Sequence, residues 1–154
     1  MILSRKHKEA AALSGSPLTL QERRSGMAEV FLYNIGGEKL RKIRTALIRL
    51  GLSGRIVSYA EYGHPIGFLA GIEGFEPSGE YGGEDFTGEM LLMSGLSSRQ
   101  FSALLDVLRA SRCTVALKAV VTESNAPWSS PELYRALRAE HETMREYIEA
   151  RKKK

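Results

Sequence analysis

The sequence predicts an α/β fold: two tandem β-α-β units forming one four-stranded sheet, covered by helices on both faces and closed by a C-terminal capped helix. Three observations carry this. From Met27 onward, strand-like and helix-like periods alternate, and the same order returns about 60 residues later. The segments Val30-Phe31-Leu32-Tyr33 and Met90-Leu91-Leu92-Met93 are apolar at every position, so both of their faces must be covered. Last, Ser129-Ser130-Pro131-Glu132 opens a long amphipathic stretch with a capping box.

The first strand is expected over residues 29–33, stopped by Asn34-Ile35-Gly36-Gly37. Leu40, Ile43, Leu47 and Leu50 then recur at three- and four-residue steps opposite Lys39, Arg41, Lys42 and Arg49, an amphipathic helix ended by Gly51 and Gly54. A second strand follows at 55–60. Residues 65–72 have the makings of a short helix before an acidic, Gly-rich loop, read as solvated and mobile because it lacks the Asp/Asn ladder of a calcium loop. The second unit runs as a strand over 89–93, a turn at Ser94-Gly95, a helix bearing Phe101, Leu104, Leu105 and Leu108, and a strand over 115–121. In the final helix, Pro131 sits in the first turn where no donor is needed, and Trp128 and Leu133 are spaced as a hydrophobic staple. Its stripe continues through Leu137, His141, Met144 and Ile148.

The all-apolar strands belong at the centre and the more polar ones at the edges, the last with Lys118 in its middle. Two topologies satisfy this. In one, the helix at 65–72 makes a crossover and all strands are parallel in the order 2-1-3-4. In the other, the units fold back as a ferredoxin-like α+β antiparallel sheet with the last helix on its open face. The 28-residue linker over 61–88 is longer than a hairpin needs and favours the first.

Three segments follow: a flexible basic lead over 1–26, one globular domain over 27–150 and a basic tail over 151–154. Met27 directly precedes the first strand, so translation beginning there is an alternative reading of the lead. The net charge of +4 invites a nucleic-acid partner, but residues 27–150 hold 13 Lys/Arg against 16 Asp/Glu, a net −3. No Lys or Arg stands between Arg55 and Arg99, where seven acids gather. Such a body is no phosphate-neutralising surface, and no specific nucleic acid is expected. A single cysteine, Cys113, excludes an intrachain disulfide and fits the reducing cytoplasm. One thiol and three scattered histidines give no metal-ligand spacing, and neither a cofactor nor a membrane is called for.

Several stretches resemble a small bacterial family known only as a domain of unknown function. They are Leu32-Tyr33-Asn34, the run from Tyr62-Gly63-His64 through Gly71, and Glu89 through Gly95. Most specific is Lys118 through Trp128, a Thr-x-x-Asn-x-x-Trp core formed by Thr122, Asn125 and Trp128, followed by Glu140-His141. The resemblance implies one domain from about Met27 to His141 and supplies no reaction.

If all strands are parallel, Asn34, Tyr62, Ser94, Thr122 and Asn125 lie at their carboxyl ends, where open sheets bind ligands. Amides at Asn34-Ile35-Gly36-Gly37 and Ser94-Gly95 would then face an anion. With Trp128 and His141 these form the candidate ligand-binding set; turn architecture competes for Thr122, Asn125 and Trp128, and a packing or interface role for His141. No residue presents itself as catalytic. The expectation is a non-enzymatic binding or regulatory domain for a small anionic ligand or a protein partner, with a homo-oligomer left open. The alternative is a small enzyme using Asn34, Thr122, Asn125 and His141, which requires them to converge.

Overall fold

A computed structural model describes residues 28–152; the expectations for residues 1–26 lie outside that range. Four strands, β1 (Glu29–Tyr33), β2 (Ser53–Ile56), β3 (Met90–Ser94) and β4 (Leu117–Val120), form one sheet in the order β2-β1-β3-β4. Between them run α1 (Gly37–Arg49), a 3-10 turn (Tyr59–Glu61), α2 (Ile66–Leu69) and α3 (Ser98–Ala110), and α4 (Ser130–Lys152) closes the fold. The predicted strand order and edge assignment hold.

Strand directions differ from the all-parallel expectation. β1/β2 and β3/β4 are parallel, but the central pair β1/β3 is antiparallel, with Glu29 opposite Ser94 and Tyr33 opposite Met90. The reason lies in the linker. It leaves β2 beside the end of β1 and re-enters β3 beside that same end, so it crosses no sheet. Its length goes instead into building a core layer. Tyr62, Ile66, Leu69 and Phe86 pack with Phe31, Tyr33, Leu92, Leu133 and Leu137 on one face, while Ile43, Leu47, Leu104 and Leu108 from α1 and α3 cover the other. Because the two right-handed units are antiparallel to each other, both of their helices fall on one face, and the linker and α4 must cover the second.

β2 starts two residues earlier than expected. Gly54 belongs to the strand, where a Cβ would lie 2.7 Å from a methyl of Leu47, so glycine there lets α1 sit close to the sheet. The acidic loop is pinned. Tyr59 and Tyr81 donate hydroxyl hydrogen bonds to the Gly83 and Glu84 carbonyls at 2.7 and 2.6 Å, and Arg135 of α4 ion-pairs with Glu84.

The capping box of α4 forms as expected: the Ser129 amide donates to Glu132 at 2.8 Å, and the Glu132 amide donates to the Ser129 hydroxyl at 3.4 Å. The Ser129 amide holds the Glu132 carboxyl below its ordinary range. Only the first two turns of α4 are buried, through Leu133 and Leu137; residues 141–150 are all exposed.

Candidate functional site

The antiparallel centre divides the predicted set. Asn34 follows β1 at one end of the sheet; Ser94 pairs with Glu29, five residues earlier along β1 and roughly 17 Å away at about 3.3 Å per residue. Thr122 and Asn125 follow β4 at the Ser94 end.

Asn34 and Tyr62 come together. In the left-handed region at φ 59°, Asn34 donates from Nδ2 to the Phe86 and Gly88 carbonyls at 2.8 and 3.0 Å, tying the exit of β1 to the entry of β3. The Tyr62 ring is buried and stacks on Phe86 with centroids 4.7 Å apart; Phe86 in turn stacks on Tyr134 of α4 at 4.2 Å. Burial and nearby Asp85 raise the Tyr62 hydroxyl above its ordinary range, while a hydrogen bond from Asn34 opposes them. Behind this stack the Tyr33 hydroxyl bonds the Ser130 hydroxyl at 2.8 Å, both fully buried, and desolvation pushes Tyr33 well up. These contacts join α4, β1 and the linker into one layer.

Asn125 spends its polar atoms on its own loop. Its Oδ1 accepts from the Thr122 amide at 2.9 Å, its Nδ2 donates to the Val120 carbonyl at 2.9 Å, and its amide donates to the Thr122 hydroxyl at 3.1 Å. Trp128 is half-buried at the margin of the linker-side core, and its carbonyl accepts from the Ile66 amide at 2.8 Å. Ser94 lies beside a helix start whose amide is taken internally, since the Ser97 hydroxyl caps Gln100 at 3.1 Å.

His141 stands apart, on the exposed second half of α4. With Ala116, Leu117, Lys118, Leu137, Glu140 and Met144 it lines a groove of about 150 Å³ between α4 and the outer edge of β4. From Tyr33 beneath Ser130, α4 crosses the sheet to Leu137 above Leu117 and then continues past the edge. Met144, Tyr147 and Ile148 on that extension are 46%, 58% and 45% exposed.

Lys118, not among the predicted site residues, borders this groove at the outer edge of β4. Burial and the neighbouring cations Arg109 and Lys39 lower its ammonium below the ordinary lysine range. It donates to the Val115 carbonyl, whereas Lys39 and Arg109 pair with Glu89 and Asp106. The signal for the groove was length: 23 helical residues span roughly 34 Å, while four strands span only about 14 Å between outer axes.

Among the described residues no group of three or more His, Cys, Asp or Glu is placed to hold a metal ion, and no helix is long and apolar enough to cross a membrane. Residues 89–144 match the model of a domain of unknown function, DUF3783. The match spans β3, α3, β4 and the first two-thirds of α4, and so contains every residue lining the groove. The resembling stretches at Leu32-Tyr33-Asn34 and 62–71 lie outside the matched range. No curated protein and no solved structure matches the chain.

Proposed function

We propose that the protein is a non-enzymatic binding domain that docks a protein partner on the projecting half of α4 and the groove beneath it. One observation carries the reading: a helix anchored by Leu133 and Leu137 runs on for four more turns with Met144, Tyr147 and Ile148 facing solvent. An apolar row rimmed by charged residues is the surface expected of a protein-binding site. Against the enzyme alternative weighs the scatter of its set: Asn34 ties the exit of β1 to the entry of β3, Thr122 and Asn125 bond each other at the opposite end of the sheet, and His141 lies on the exposed half of α4. Against an anion site at Ser94-Gly95 weighs the use of the Ser97 hydroxyl at the start of α3.

The test is peptide display on the immobilised full chain. Selected peptides are expected to bind Met144→Asp at least about tenfold more weakly, the measure of about 1.4 kcal/mol. Circular dichroism should show that this exposed substitution leaves the fold unchanged. Peptides that bind both forms alike, or none selected at all, would end the reading.

A further inference from the structure

We propose that the outer edge of β4, roofed by α4, accepts an extended peptide as a fifth strand, and that this peptide alternates apolar and acidic side chains. The inference rests on the binding-domain reading above and specifies its partner.

The register supplies the backbone half. The Val121 amide donates to the Met93 carbonyl at 2.9 Å while Met93 sits opposite Val120, so the odd-numbered residues 117, 119 and 121 bond β3. The even-numbered residues therefore face outward, which agrees with the Val120 carbonyl being reached by Asn125 from outside the sheet. That bond closes one acceptor. The Lys118 amide and carbonyl and the Val120 amide remain directed away from β3, and no strand of the described residues pairs with them.

The side chains supply the specificity. Leu117 and Ala119 point to the face covered by α4, where Leu137, His141 and Met144 roof the groove. A strand added there must present apolar side chains on that face, and Glu140 on the same wall disfavours an acid. Lys118 points to the opposite face among Arg109 and Lys39, and among the described residues no carboxylate pairs with it. An Asp or Glu on the incoming strand finds an unneutralised ammonium there. The same lysine disfavours a second copy: an antiparallel β4-to-β4 pairing centred on residue 118 would set two half-buried ammonium groups opposite one another.

The decisive experiment titrates the isotopically labelled full chain with two synthetic peptides of about ten residues that share alternating apolar positions. One carries Glu at the intervening positions and the other Lys. The acidic peptide should shift the Lys118 and Val120 amide resonances, slow exchange of the Lys118 amide and bind at least about tenfold tighter than the basic one. Lys118→Gln should abolish that preference and Lys118→Glu reverse it, so a folding failure of one variant leaves the other informative. Equal binding of both peptides, or no binding by either, overturns the proposal. Peptides that depend on Met144 but leave the Lys118 amide exchanging freely also overturn strand addition while the binding-domain reading stands.

Discussion

The two edge strands occupy equivalent places in the two β-α-β units, and each carries one cation, yet the two are treated differently. On β2, Arg55 ion-pairs with Glu61, reaches the Leu69 carbonyl at 3.5 Å and lies 5.9 Å from the Phe31 ring centroid. The linker that folds back over this side supplies the carboxylate. On β4, Lys118 donates to the Val115 carbonyl, and among the described residues the charged groups acting on it, Arg109 and Lys39, are of like sign. A sheet edge is a liability unless it is blunted, and β2 is blunted by a closed charge pair. β4 is flanked by one asparagine, one lysine and an overhanging helix, and no strand of the described residues pairs with its outer side.

Removing the helix's anchor should break the contrast most severely. Leu133→Ala, at a fully buried position, is expected to cost about 2 to 5 kcal/mol by denaturant titration. Met144→Ala on the same helix should stay within about 0.5 kcal/mol because its side chain faces solvent. Next is Asn125→Ala, which strips the Val120 carbonyl and the Thr122 amide of their partners and should cost about 1 to 3 kcal/mol. Unchanged stability would show that Asn125 does not hold the loop.

The smallest effects test the two cations directly and should differ in sign. Arg55→Met opens a partly exposed ion pair and should cost no more than about 1 kcal/mol after solvent screening. Lys118→Met should be neutral or slightly stabilising at pH 7. A lysine whose folded pKa is depressed binds its proton less well folded than unfolded, so its penalty is fully present below the folded pKa. Stability therefore rises as pH climbs from that value towards the ordinary lysine range. The advantage of Lys118→Met over the parent should shrink across that window in melting curves, and a constant difference would contradict it.

Much of this architecture was legible in the residues. Runs with no polar position placed β1 and β3 at the centre, and the capping box placed the start of α4. Strand direction was not legible, because the spacing of apolar residues within β1 and β3 is the same whichever way they pair. Linker length misled: 28 residues suit a crossover, and only the burial of Tyr62, Ile66 and Phe86 shows that they form a core layer instead. At the site, the apolar stripe of α4 singles out His141, but periodicity alone does not say where a sheet ends beneath a helix. Lys118 was visible as an edge marker; that no carboxylate of the described residues pairs with it depends on pairings between distant segments.

The antiparallel seam between β1 and β3 has a kinetic consequence. Each β-α-β unit closes through contacts near in sequence, whereas the seam joins residues about 60 apart, and loop-closure entropy makes such pairings slow. Until it forms, each unit carries an apolar strand, Val30 to Tyr33 or Met90 to Met93, with an unpaired edge. Docking of the two units is thus the step at which the refolding chain is most prone to associate with its neighbours, and refolding yield should fall with protein concentration there.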